Sequence, residues 1–309
     1  MTTLTVRHVT TYRYRAPVAF GEHRLMFRPR DSYDQKLIAA ELKITPEPAS
    51  VRWIHDVFGN CVALVRFSER SEELRFESMI RLEHTPANIP DVEIEQTAKT
   101  FPFAYDPDEM PDLQPAMTRQ YLDRDGKLHD WVQGFLSRGR VTKTGDLLMT
   151  LTHAIKEGFV YERRSEPGTR DPALTLKLGR GSCRDFALLM MEAVRSLGFA
   201  ARFVSGYLYV PSRDARRRLG GGSTHAWCQI YIPGAGWIEF DPTNGIVGNH
   251  DLIRVAVARD PSQAVPLSGT WHGSNADFLS MEVAVQVRGA IAKAKSPHFK
   301  EKELVAHGT

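Results

Sequence analysis

Apolar and polar positions alternate with a period of two over much of the first ninety residues. Leu4-Thr5-Val6-Arg7-His8-Val9-Thr10 alternates loosely, Arg13-Tyr14 continues it, and Glu41-Leu42-Lys43-Ile44-Thr45 alternates cleanly. Val51-Arg52-Trp53-Ile54-His55 and Cys61-Val62-Ala63-Leu64-Val65-Arg66-Phe67 flank Asp56-Val57-Phe58-Gly59-Asn60, whose composition is that of a hairpin turn. Leu74 to Glu83 is a further strand. Short strands separated by turn signals predict an all-β, sandwich-like domain over residues 1–90.

The pattern then breaks. Prolines at 86, 90, 102, 107, 111 and 115, among many acids, fix φ and remove donors, so neither sheet nor helix continues for long. Residues 91–115 read as a linker that packs on the surface. Beyond it the period changes toward 3.6. Tyr121 to Leu136 and Thr144 to Ile155 are helix candidates, and a loop rich in Gly, Pro and charge leads to Gly179-Arg180-Gly181. The clearest helix follows. Ser182 is an N-cap with Asp185 three residues on, Phe186, Met190, Ala193 and Leu197 recur at helical spacing, and Gly198 ends it. Phe199 to Val210, His225 to Ile232, Trp237 to Asp241, Leu252 to Ala258 and Met281 to Val287 read as strands. Pro211 to Thr224, with four arginines and three successive glycines, reads as a mobile loop bordering the substrate cleft, and the lysine-rich tail 293–309 as disordered.

Composition narrows the classes. The chain has 309 residues, room for about two domains, and its 42% apolar and 25% charged residues are ordinary for a globular protein. A formal charge of +3 over this length gives no case for nucleic-acid binding. No stretch approaches the roughly 20 apolar residues of a membrane span, and the N-terminus lacks a signal-like apolar core. Three cysteines, Cys61, Cys183 and Cys228, suit free thiols in a reducing, cytoplasmic compartment. Cys61, in a strand, reads as a small buried hydrophobe.

Cys183 sits one residue after the N-cap, where unpaired N–H groups and the helix dipole favour a thiolate. Asp185 nearby opposes this slightly, so a partner imidazolium is needed. His225 opens one strand-like run and Asp241 closes the next, across Pro233-Gly234-Ala235-Gly236. Both numbers are odd, so a three- or five-residue connection places them on one face. A strict ladder leaves them offset, and a bulge or irregular start must close that gap. The three residue types are those of a nucleophile, a base and a group that orients the base. The Cys183 N–H is a natural oxyanion donor. Tyr161 is a weaker candidate for a second donor, core packing being its simpler role. His225-Ala226-Trp227-Cys228 invites a zinc reading, but strand residues three apart face opposite ways and no second ligand pair exists. Cys228 therefore reads as core, and no metal or cofactor is expected.

At these residues the sequence resembles the transglutaminase-like superfamily of papain-type cysteine enzymes. The resemblance is carried by Gly181-Ser182-Cys183-Arg184-Asp185-Phe186-Ala187, Ala200 to Tyr207, His225-Ala226-Trp227 and Gly236 to Gly245. Arg254 to Asp260 and Val265 to Gly269 resemble the segment that follows in bacterial members, and the N-terminal region with Asp56 to Asn60 their preceding β domain. The resemblance implies an α+β fold, with an N-terminal β domain followed by a core over 116–292 in which the nucleophile helix packs on an antiparallel sheet. It implies Cys183 as nucleophile, His225 as general base and acid, and Asp241 as the orienting carboxylate. The calcium of animal transglutaminases is not implied, since this chain is much shorter and has no EF-hand-like loop. The expected function is a cysteine hydrolase of the peptidase or amidase type acting on a peptide or protein, with no nucleic-acid or membrane partner. Transglutaminase activity and a non-enzymatic binding module are the alternatives.

Overall fold

The computed structural model describes residues 2–86, 93–137, 139, 141–164, 166–211 and 218–291. The arginine-rich stretch 212–217 and the tail from Lys293 lie outside the described residues. The first six strands are β1 (Thr2–Phe20), β2 (His23–Leu25), β3 (Gln35–Thr45), β4 (Ser50–His55), β5 (Cys61–Arg66) and β6 (Ser71–His84). They divide between two antiparallel sheets, one ordered β1-β6-β3 and the other β2-β5-β4. Tyr14, Val18, Phe20, Phe27, Ala63, Val65, Leu74 and Phe76 fill the space between them. This is the sandwich that the alternation predicts, with β1 much longer than its loose pattern suggests.

The turn between β4 and β5 is built by Asp56. Its Oδ1 accepts from the N–H groups of Phe58 (3.0 Å) and Asn60 (2.8 Å). Gly59 closes the turn at φ +73°, where a Cβ would stand 2.5 Å from Arg30 Nη1.

The described part of the proline-rich segment, from residue 93, is short in regular structure but well packed. After β7 (Thr100–Phe101) and α1 (Met110–Met117), Phe101 stacks on Phe199 and Tyr105 is buried, accepting from the Ala200 N–H and donating to the Tyr231 carbonyl. It is a strap tied into the core, more than a surface linker. The helical region comprises α2 (Lys127–Gln133), β8 (Thr142–Lys143), α3 (Thr144–Gly158), β9 (Val160–Tyr161), α4 (Pro172–Leu178), β10 (Arg180–Gly181) and α5 (Cys183–Arg195). Two expectations change here. The helix expected over 121–136 forms only between Gly126 and Gly134. The stretch expected as loop before Gly179 holds α4, capped by Asp171, whose side chain accepts from the N–H of Ala173 and Leu174.

Helix α5 is buried all round: every residue but Arg184 is inside. One side meets the central sheet and the other meets α2, α3 and α4. Its buried polar members are satisfied. Arg195 donates to Glu192 (2.9 Å) and to the carbonyls of Ala116, Ala201 and Arg259, and Glu192 also accepts from the N–H of Gln120 and Tyr121.

The central antiparallel sheet holds β11 (Ala201–Leu208), β12 (His225–Ile232), β13 (Gly236–Asp241), β14 (Ile246–Val247) and β15 (Leu252–Ala258), in the order β14-β13-β12-β11-β15. The chain then returns to the sandwich. Strand β16 (Leu267–Ser268) pairs with β2, and both β17 (Trp271–His272) and β18 (Phe278–Ile291) pair with β1. The last strand, read in sequence as the end of the core, is thus part of the first sheet.

Two amides join the halves. Asn60 receives the Val257 N–H (2.9 Å) and donates to the Val257 carbonyl (2.7 Å), while Gln35 receives the Arg254 N–H (3.0 Å) and donates to its carbonyl (2.9 Å). The outer edge of β15 is therefore closed by side chains of the sandwich. Met26 and Val62 also enter the core cluster around α5, so sandwich and core share one interior. No helix among the described residues is long and apolar enough to cross a membrane.

Candidate active site

Cys183 is the first residue of α5. Ser182 has extended backbone at the N-cap, and its N–H and hydroxyl both donate to Asp185 Oδ2 (2.8 and 2.9 Å). Asp185 is completely buried and receives Arg164 Nη1 on both oxygens (2.7 and 2.9 Å) and the Arg170 N–H (2.7 Å). Burial alone would raise the Asp185 carboxyl, but these donors hold it below its ordinary value. Its charge is thus compensated by Arg164, which removes the opposition to a thiolate expected from sequence.

His225 and Asp241 meet as hydrogen-bond partners, Nε2 to Oδ2 at 2.8 Å, with both side chains fully buried. The hairpin between them has three loop residues, pairing Ile232 with Gly236 and Cys228 with Phe240. Continued, that register sets Asp241 opposite Trp227. His225 and Asp241 are therefore diagonal, two positions apart on one face. No bulge interrupts the ladder. The paired ladder ends at Cys228 and Phe240, and beyond it the length of an imidazole and a carboxylate spans the diagonal without a bulge.

Asp241 is held from three further directions. Its Oδ1 accepts from the N–H of Thr243 (2.9 Å) and Asn244 (3.3 Å), and its Oδ2 accepts from Asn244 Nδ2 (2.9 Å). Burial would push the carboxyl up, but the imidazole and these donors hold it below its ordinary range. Burial likewise would push His225 down. The Asp241 charge and hydrogen bond, with the Cys183 thiol adding to them, instead push it up to about 10. The two directions agree, and the pair is an imidazolium and a carboxylate at neutral pH. Nδ1, the ring nitrogen left over, is buried and makes no hydrogen bond among the described residues.

Tyr161 enters the same place. Strand β9 runs parallel to β10 with Tyr161 paired to Gly181, two residues before the thiol. The phenol is raised by burial and then by its proximity to Cys183 and, more weakly, Asp241, while Arg163 opposes the rise. The sequence left this residue to packing, and the parallel β9–β10 pair that positions it is not visible as a pattern. The other cysteines lie elsewhere. Cys228 is buried with its Sγ toward the Phe240 carbonyl (3.5 Å), in the core cluster with Ala226 and Ile230. Cys61 is half-buried at the start of β5, less enclosed than a core residue.

A helix that begins at Cys183 and packs on a five-stranded antiparallel sheet, preceded by a β domain, is matched by two family models. The bacterial transglutaminase-like N-terminal region matches residues 4–83, and the transglutaminase-like superfamily core matches residues 122–242. The chain belongs to the transglutaminase-like superfamily. This superfamily is one of cysteine-dependent enzymes. Relatives of this transglutaminase-like chain include the protein Rv2569c of Mycobacterium tuberculosis, 27% identical over 299 residues and covering 91% of each chain. The protein ML0607 of Mycobacterium leprae is 27% identical over 301 residues, covering 91% of this chain and 97% of its own. A solved structure of a candidate cysteine protease from Cytophaga hutchinsonii is similar over 97% of this chain and 94% of its own, with a TM-score of 0.71 at 20% identity. That likeness is one of fold.

Proposed function

We propose that this chain is a cysteine-dependent hydrolase that cleaves a peptide or amide bond of a polypeptide through an acyl-thioester. One observation carries the reading: a buried imidazole bonded at 2.8 Å to a carboxylate, with a helix-N-terminal thiol acting on the same ring.

In this reading the Cys183 proton already resides on the ring, so a thiolate faces the His225 imidazolium, and Sγ attacks the carbonyl carbon. The carbonyl oxygen becomes an oxyanion facing the Cys183 N–H at the positive end of α5. The Tyr161 phenol, which keeps its proton because its pKa is raised, serves as the second donor. The imidazolium then gives its proton to the departing nitrogen, the C–N bond breaks and the thioester remains. Water, losing a proton to His225, attacks the thioester carbon, and the acid leaves as the thiol is restored. Asp241 stays ionised throughout and holds the ring. The three free thiols fit action in a reducing, cytoplasmic compartment.

The test is product analysis by mass spectrometry with glutamine-containing peptides, with and without a primary amine. Chain cleavage or ammonia release supports hydrolysis. Incorporation of the amine makes the enzyme a transglutaminase acting through the same thioester. Turnover retained by Cys183→Ala would overturn both.

A further inference from the structure

The segment Arg218–Gly222 lies against the imidazole and takes no part in the steps above. Gly220 has φ +88°, and a Cβ there would stand 2.6 Å from His225 Nδ1 and 3.1 Å from Cε1. Only a glycine lets the main chain approach the ring edge this closely. Four tethers hold the segment down, one of them an ion pair from Arg218 Nη2 to Asp251 Oδ2 at 2.6 Å. Asn244 clamps the main chain of Leu219, accepting its N–H at 2.8 Å and donating Nδ2 to its carbonyl at 3.1 Å. Arg163 Nη2 donates to the Gly221 carbonyl at 3.1 Å. The Val285 N–H donates to the Gly222 carbonyl at 3.0 Å, and Val285 belongs to β18, whose other edge pairs with β1 of the sandwich at His8. Cys183 is 7% exposed and His225, against which the segment lies, 1%.

Asn244 has a second set of attachments. Its Nδ2 also donates to Asp241 Oδ2 at 2.9 Å, the oxygen that binds His225 Nε2. One side-chain amide therefore holds the covering segment and the orienting carboxylate together. Freed from Leu219, the amide would lose the main-chain contacts that fix its plane, and Oδ2 would lose the rigidity of its second donor.

We infer that Arg218–Gly222 is a gate over the nucleophile and that Asn244 is a positioning residue coupling gate closure to the His225–Asp241 bond. The inference rests on the reading of Cys183 as nucleophile. The gate opens by releasing its tethers to admit the acyl donor. It closes over the bound chain, and closure restores the clamp that aligns the carboxylate. The tether from Val285 gives the sandwich a part in the site, because β18 is held by β1.

The experiment compares alkylation of Cys183 by small iodoacetamide and by bulky fluorescein maleimide in the full chain, in Arg163→Ala and in Asn244→Ala. The low-field proton resonance of His225 Nε2–H is recorded alongside. Arg163→Ala, at an exposed position, raises the maleimide rate about tenfold relative to the iodoacetamide rate, as loss of a charge-assisted tether predicts. It leaves the resonance in place. Asn244→Ala raises the same ratio and also shifts the resonance. Should the alanine variant not fold, Asn244→Ser tests the same coupling: it opens the gate because it is too short to clamp Leu219, while its hydroxyl still reaches toward Asp241. An unchanged ratio in Arg163→Ala and in the Asn244 variant overturns the gate. An altered ratio with an unmoved resonance in Asn244→Ala overturns the coupling. If Cys183 of the unmodified chain reacts no faster than Cys61 and His225→Ala changes nothing, it is the nucleophile reading that fails, and the gate has nothing to guard.

Discussion

His225 and Asp241 stand two rungs apart on neighbouring strands and are joined across that diagonal by a 2.8 Å bond between Nε2 and Oδ2. Each partner moves the other. The imidazole is raised from 6.5 to about 10, and the carboxyl is held below 3.8. A group raised in the folded state contributes stability that is complete below its unfolded value and is lost as pH rises through its folded value. For His225 that loss falls between pH 6.5 and about 10. A depressed carboxyl acts in the opposite sense, and its contribution is lost as pH falls below 3.8 toward its folded value. Stability from this pair is therefore greatest in the weakly acid to neutral range. In Asp241→Asn the imidazole should titrate well below 10, seen by NMR of the ring, and the fall in melting temperature from pH 7 to pH 10 should shrink. Turnover should drop by roughly 10²- to 10⁴-fold, as when an orienting carboxylate is neutralised elsewhere.

Asp185 carries a structural charge. It is wholly buried, and Arg164 and the N-terminal turn of α5 depend on it. Asp185→Asn removes the charge and leaves the Arg164 guanidinium, itself largely buried, with only the exposed Glu166 carboxylate, 3.5 Å from Nε, to balance it. The expected loss is about 3 kcal/mol, the cost of breaking a buried pair from one side. Urea unfolding measures it, and a loss under about 1 kcal/mol would mean that the pair is solvated.

Much of this arrangement could be read from local signals. Ser182 and Asp185 mark the start of α5, Pro233 to Ala235 mark the hairpin, and parity places His225 and Asp241 on one face. The pattern failed where the controlling contact is distant. Helix α4 was hidden in a Gly- and Pro-rich stretch, although Asp171-Pro172 is an N-cap followed by a proline at the first helical position. The face of α5 suggested by Phe186 and Met190 was only half of its buried surface, because helices cover the other side. Gly220 and Arg163 carry no local signature for the site. They reach it through contacts 5 and 58 residues away in sequence, to His225 and Gly221, whereas Asn244 lies in the Gly236 to Gly245 block, three residues from Asp241, and only its clamp on Leu219 is distant.

Asn60 is the clearest join between sandwich and core. Its carboxamide meets both main-chain groups of Val257, as a neighbouring strand would. Asn60→Ala leaves those groups of β15 unpaired in a buried place, at a cost of about 1–3 kcal/mol. Hydrogen exchange at the Val257 amide should quicken while that at the centre of α5 changes only with global stability. Equal acceleration at both places would mean that the edge of β15 does not open separately.

Gly220 offers the sharpest steric test. At φ +88° a side chain is strained, and alanine would place its Cβ 2.6 Å from His225 Nδ1. The backbone term is about 1–2 kcal/mol. The clash must be relieved by moving either the imidazole or the segment. Moving the imidazole stretches the 2.8 Å bond to Asp241, and moving the segment breaks the clamp on Leu219. Gly220→Ala should therefore lower turnover more than tenfold while costing no more than about 2 kcal/mol in unfolding experiments. Gly222→Ala serves as the comparison, since it has φ +83° and nothing within 4 Å of its would-be Cβ. It carries the backbone strain without the collision and should cost similar stability with little change in turnover. Equal kinetic losses in the two variants would show that Gly220 acts through loop conformation alone and not through its contact with the ring.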